Sequence, residues 1–169
     1  MKRGKSLRDK VGYLLFLLTA AAIVTADQLT KSWIRSYAEG ETIFQAAFFR
    51  IIHVTNTGAA FGSLQDKSFF LTIVACIGIV LVLAVTFLLS RRLPSMNSIP
   101  DKSILGLILG GIIGNLTDRL RIGHVTDFIS VGIWPTFNIA DSALTVGVIL
   151  FAYRFLVSDG GKKPKELAP

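Results

Sequence analysis

Cysteine is nearly absent from this chain, histidine is rare, and charge is missing from long stretches. The single cysteine, Cys76, excludes an internal disulfide. It lies in an apolar run without a basic neighbour, so it reads as a small buried hydrophobe and not as an activated thiol. His53 and His124 are the only histidines, and there is no HExxH pair, which removes the helical zinc-protease pattern. Only 17% of residues are charged, and residues 68–90 carry no charge at all. No internal repeat or low-complexity tract interrupts the chain.

What is present is apolar. Of 169 residues, 51% are hydrophobic, and the mean hydropathy is +0.59. That excludes an ordinary soluble domain and indicates a polytopic membrane protein. Because backbone polar groups must be satisfied inside lipid, the spans are expected to be helices. The net charge of +7 does not point to nucleic acid. The basic residues sit at the ends of apolar runs, where they signal topology.

Four spans are expected, at about 11–33, 68–90, 103–120 and 139–157, in one integral membrane domain covering 1–169. Residues 1–26 alone resemble a secretory signal peptide. Asp27 and Lys31, spaced i, i+4, instead favour a first span that continues through them as a pair. Residues 48–54, FFRIIHV, have strand composition, and Asn56-Thr57-Gly58 is a turn signal. Together they predict a small β-structure over about 40–66. Residues 93–102 read as a loop, Arg154 as a side chain that snorkels outward, and 158–169 as a disordered tail. Gly106, Gly110 and Gly114 make one smooth face for close helix packing. The N-terminal segment holds five Lys or Arg, the 91–102 loop three and the end from Arg154 four. The opposite segments hold three and two. By the positive-inside rule both termini are cytoplasmic.

This topology gathers Asp27, Lys31, Asn56, Asn115, Asp118, Arg119, Asp127, Asn138 and Asp141 at the outer ends of the spans. Ionisable groups at such positions are functional candidates, although Asp118 could simply pair with Arg119. Asp127 lies in a mixed polar and aromatic loop. Asp141 opens the last apolar run, where a carboxylate has no evident structural reason to be. Two carboxylates sharing a site cannot both ionise easily, and such a pair can activate water and protonate a leaving group. Fourteen residues separate them, so only a loop folding back on span 4 brings them together. A His124–Asp127 metal site and a Ser130–Lys31 dyad fit less well. No metal or other cofactor is expected. A proton-coupled transporter or channel subunit would also explain acidic residues in an apolar chain, but transporters place them near the midplane. A non-enzymatic scaffold would use them only as anchors.

Five motifs in order carry a family resemblance: DQLTK at 27–31, NTGAAFG at 56–62, GGIIGNLTDR at 110–119, VTDF at 125–128 and FNIAD at 137–141. The chain resembles lipoprotein signal peptidase (signal peptidase II), a family of bacterial membrane aspartyl peptidases. The resemblance implies an all-α membrane protein, a four-transmembrane-helix bundle with a small extracytoplasmic β-cradle, in the inner or plasma membrane. Asp127 and Asp141 fall on the family's catalytic pair. Asn56, Gly58, Asn115, Arg119, Asn138 and Ala140 fall on positions that bind substrate or support the pair, with Asp27 and Lys31 beneath. The implied substrate is a prolipoprotein whose lipobox cysteine carries diacylglycerol, cut just before that cysteine by a monomer in contact with membrane lipid. Globomycin-type peptides would block the site. The substrate's signal helix is expected to pack along the glycine face or its neighbours. Ile112 stands where the family commonly has a small residue, and Thr126 before Asp127 is unusual.

Overall fold

The computed structural model describes residues 2–58, 67–89 and 98–159. Residues 93–97 of the expected loop, 59–66 of the expected cradle and 160–169 of the expected tail lie outside these residues. Helix α1 (Lys2–Ile34) runs unbroken through the possible cleavage site to Asp27 and Lys31. Strands β1 (Thr42–Ala46) and β2 (Phe49–Asn56) follow. Helix α2 (Lys67–Ala84) continues as a π-helical turn over Val85–Leu89. Then come α3 (Ile99–Ile122), β3 (Val125–Val131) and α4 (Ile139–Asp159). Among the described residues four stretches are long and apolar enough to cross a membrane: Leu7–Ile34, Ser68–Leu88, Ile99–Ile122 and Ile139–Val157.

Helix α3 is the axis of the bundle. It packs mainly against α1 and α4, and α2 lies against it more lightly, with little contact to α4. The glycine face explains the closest packing. A Cβ at Gly106 would stand 2.6 Å from the Phe16 carbonyl oxygen, and one at Gly110 2.9 Å from that of Ala20. One at Gly111 would meet the Ala140 carbonyl at 2.5 Å. Two neighbouring backbones therefore occupy these glycines, and no external helix can use them. Ile112 points the other way, its Cδ1 against Gly78 of α2, so the bulk on α3 is matched by a missing side chain on its neighbour. Phe16, Ala20, Leu105, Ile108 and Leu109 fill the apolar middle.

Several expectations are corrected. Helix α3 begins inside the stretch read as a loop. Ser98 caps it, accepting from Asp101 N while its own N–H donates to the Asp101 carboxylate, with Pro100 in the first turn. A proline is tolerated there because its missing N–H has no helical partner to lose. Arg154 does not snorkel freely: it donates to Asp101 at 2.8 Å and to Ser98 at 3.1 Å. Lys102, counted as a loop charge, is buried over the Tyr13 ring. Cys76 is exposed on α2 beside Ile73 and Ile77, so it faces lipid and not the core.

The sheet is antiparallel in the order β1-β2-β3. Residues 49–54 do form strand, as their composition predicts, while Phe48 stands in the turn before β2. The stretch read as a loop around Asp127 is strand β3, pairing Asp127 with Val54 and Ile129 with Ile51. Five of its seven residues are buried, so both faces are covered and no polar–apolar alternation marks it. Gly123, in the left-handed region at φ 80°, ends α3 and donates to Arg119 O, which lets β3 begin two residues later.

Replacing Gly110 by Leu should force α1 off α3. Overpacking of this kind costs about 1–3 kcal/mol, so the unfolding midpoint in detergent should fall by several degrees. An unchanged midpoint would contradict the packing described.

Candidate active site

Asp27, Gln28 and Lys31 lie on one face of α1, and Arg35 follows directly after its end, its N–H donating to Lys31 O. The Lys31 ammonium is fully buried and meets three acceptors: Asp27 Oδ2 at 2.9 Å, Asp118 Oδ2 at 3.1 Å and Asn115 Oδ1 at 2.9 Å. Each acceptor does a second task. Asp27 Oδ1 accepts from Ala140 N at the start of α4. Asp118 Oδ2 accepts from Thr126 N in β3. Asn115 Nδ2 donates to Asp141 Oδ1 at 2.7 Å. The Asp27–Lys31 pair is present as expected, but Asp118 pairs with Lys31 and Arg35 and not with Arg119.

Asn138 joins the two key aspartates. Its amide donates to Asp127 Oδ1 at 2.7 Å, and its backbone N–H donates to Asp141 Oδ2 at 3.2 Å. Its own Oδ1 accepts from Asp141 N at 2.8 Å. This is a reciprocal cap on α4 with Asn138 at the N-cap and Asp141 three residues on. Asp141 therefore does have a structural reason to open the last span. Asn56 donates to Asp127 Oδ2 at 2.8 Å, held by Gly58 N on its Oδ1 in a turn with φ 85° at Gly58.

Asp127 is 1% exposed. Burial pushes its carboxyl up from 3.8 to about 6, and the charge of Asp141 adds to the rise. The amides of Asn56 and Asn138 pull it back. A buried carboxyl held by amide donors near neutrality can either keep or release a proton in a working pH range.

Arg119 makes no hydrogen bond among the described residues. It lines a groove of about 290 Å³ with Asn115 and Asp141, floored by Val74, Gly78 and Leu144. The groove runs between α2 and the α3–α4 pair. Ser130 accepts from Arg50 and is remote from any dyad with Lys31. Among the described residues no three His, Cys, Asp or Glu side chains cluster as a metal would need.

Three contributors escaped the sequence reading. Gln28 donates to Asp27, to Gly114 O and to Asp118. Arg35 donates to Asp118 and to the Thr126 hydroxyl. Thr126 is fully buried and also offers its carbonyl to Asn138, so its hydroxyl is used and not merely tolerated. The i+4 spacing of Lys31 and Arg35 was the available signal.

Fold and site define a multi-pass membrane protein with a cluster of carboxylates, amides and cations at one end of its bundle. Comparison with known proteins sharpens this. The profile of a family described as signal peptidase (SPase) II matches residues 19–157. The chain is 46% identical over 146 residues to a lipoprotein signal peptidase of Dehalococcoides mccartyi, covering 86% of this chain and 91% of the relative. To that of Moorella thermoacetica it is 39% identical over 158 residues, covering 88% and 99%. A solved structure described as a bacterial membrane enzyme superposes with a TM-score of 0.76 at 33% identity, over 90% of this chain and 94% of that one. The chain belongs to the signal peptidase II family and is a peptidase.

Two expectations follow. Lys31→Met would leave Asp27 buried without its cation and Asp118 with Arg35 alone. Breaking a buried pair costs about 3–5 kcal/mol, so thermal unfolding in detergent should show a large loss, and a midpoint within two or three degrees of wild type would refute the network. The second concerns pH. The unfolded chain ionises Asp127 near 3.8 and the folded one near 6. Between these values unfolding releases a proton, so stability should fall as pH rises from about 4 through 6. Midpoints measured across that range should slope downward less in Asp127→Asn than in wild type; equal slopes would contradict the raised value.

Proposed function

We propose that this peptidase works as an aspartyl endopeptidase on diacylglyceryl-modified prolipoproteins, with Asp127 and Asp141 as its catalytic pair. The observation that carries the reading is Asn138, whose side-chain amide and backbone N–H hold one aspartate each. The ionised partner takes a proton from water, and the resulting hydroxide attacks the scissile carbonyl. The protonated partner donates to the carbonyl oxygen. Collapse of the tetrahedral species breaks the C–N bond as a proton passes to the leaving amine. Asn56, Asn115 and Asn138 keep the carboxylates in place, and Arg119 is free to bind a substrate carbonyl.

The signal helix approaches along the groove between α2 and the α3–α4 pair, because the glycine face is filled from within. Gly78 and Ala75 leave room there, and the groove ends at Asn115, Arg119 and Asp141. The diacylglyceryl chains stay in the bilayer. Their binding energy is remote from the bond cut and so serves to position it. The family assignment supports an active end on the outer face with cytoplasmic termini, and one copy supplies every residue named. A transporter reading is disfavoured by the apolar middle that separates the aspartates from the Asp101–Lys102 end.

The test is cleavage of a diacylglyceryl-modified prolipoprotein by the purified protein in lipid. Asp127→Asn and Asp141→Asn, each with native-like unfolding, should lose about 10²–10⁴-fold in rate. The unlipidated precursor should be cut far more slowly by wild type. A folded variant that keeps its rate removes that aspartate from the pair, and equal rates on both precursors remove the lipid from recognition.

A further inference from the structure

The catalytic reading uses the α2 side of α3. On another side, α1 and α3 leave a second and larger groove of about 630 Å³. The two share no lining residue. The second groove follows α1 from Val24 to Arg35 and ends on α3 at Arg121 and Ile122. At 1.5 Å per residue that is about 15 Å of helix, roughly the depth of one hydrocarbon leaflet.

Its chemistry changes along that length. Val24 and Leu29 line the deep part together with Thr25 and Gln28, Ser32 stands above them, and Arg35 and Arg121 stand at the rim. Arg35 uses only Nη1, which donates to Asp118 and Thr126. Its other guanidinium nitrogens have no partner among the described residues. Neither do the exposed Arg121 or the Ser32 hydroxyl. Asp118 is the one carboxylate in the lining, and Lys31 and Arg35 already neutralise it. The rim therefore keeps one uncompensated positive charge. A cation in the last turn of a helix suits the helix dipole, which accounts for Arg121 alone. It does not account for a second arginine with spare donors across the same groove, above a floor where Val24 and Leu29 alternate with Thr25 and Gln28.

We propose that this groove seats one anionic phospholipid. Its phosphodiester accepts from Arg35 and Arg121, Ser32 donates to an ester carbonyl below, and the first acyl carbons lie against Leu29 and Val24. The fit is of charge to charge and of length to leaflet, and it does not depend on the peptidase reading. Arg35 keeps its bond to Asp118 because the phosphate uses the remaining nitrogens.

Trp33 lies one turn above Leu29 and is 51% exposed, so it can report on the groove. The chain has two tryptophans, and Trp134→Phe makes Trp33 the sole fluorophore. In phosphatidylcholine vesicles, dibrominated phosphatidylglycerol should quench Trp33 at low mole fraction and saturably. Its preference over dibrominated phosphatidylcholine should be about fivefold or more per arginine engaged. Arg121→Gln, a change at an exposed side chain, should reduce that preference about fivefold. Millimolar inorganic phosphate should leave the quenching in place, since it has no acyl chains. Equal quenching by both lipids would overturn the proposal, as would a preference that survives Arg121→Gln. Displacement by inorganic phosphate would show a free-anion site and overturn the lipid as occupant.

Discussion

One buried ammonium group fixes the geometry of the polar end. Lys31 has three protons to donate and meets three acceptors, so nothing on it is left unsatisfied. An ammonium placed between helices in lipid is costly unless paired, and the pairing here binds the architecture together. Asp27 reaches on to the first turn of α4, Asp118 to the first residues of β3, and Asn115 to Asp141. Through these second contacts a single side chain on α1 sets where α3, β3 and α4 stand.

The start of α4 shows how this network also positions carboxylates. A helix that begins within a membrane exposes backbone N–H groups to a medium with no water to satisfy them. Asp27 takes the N–H of Ala140, and Asn138 takes that of Asp141. In return Asp141 accepts from the Asn138 backbone, leaving the Asn138 amide free for Asp127. Helix capping and alignment of the pair are thus one set of bonds. Preorganised groups need not rearrange at the moment of reaction. Their cost has already been met in folding the helix terminus.

The spans were legible because lipid imposes a simple rule of length and hydropathy. The pairing of Asp27 with Lys31 and the packing of Gly106, Gly110 and Gly114 were legible because helical spacing is short-range. The family motifs singled out Asn56, Asn115, Asn138 and both aspartates, which the structure brings into one hydrogen-bonded cluster. Strand β3 was not legible. It is covered on both faces, and its central aspartate argues against a strand by composition. The local Asp118–Arg119 pair, one of two readings the sequence leaves open, does not form because adjacent residues on a helix point about 100° apart. The partners of Asp118 come from the end of α1, over 80 residues away. Arg154 was read as snorkelling for a similar reason: its partner Asp101 is far away in sequence.

Counting charges at the polar end leads one step further. Four carboxylates, Asp27, Asp118, Asp127 and Asp141, share this region with three cations, Lys31, Arg35 and Arg119. With every group ionised the cluster carries one excess negative charge in a poorly solvated place. Asp27 and Asp118 each hold an ion pair with Lys31 or Arg35. Asp127 and Asp141 have only amide and backbone donors in direct contact. Burial pushes Asp127 up to about 6, so the proton that would bring the cluster to neutrality belongs there. In the proposed mechanism, one proton on this pair is what water activation and leaving-group protonation both call on. The ion pairs beneath thus do more than hold helices together: by engaging Lys31 and Arg35, they leave Asp127 and Asp141 with no cation in direct contact.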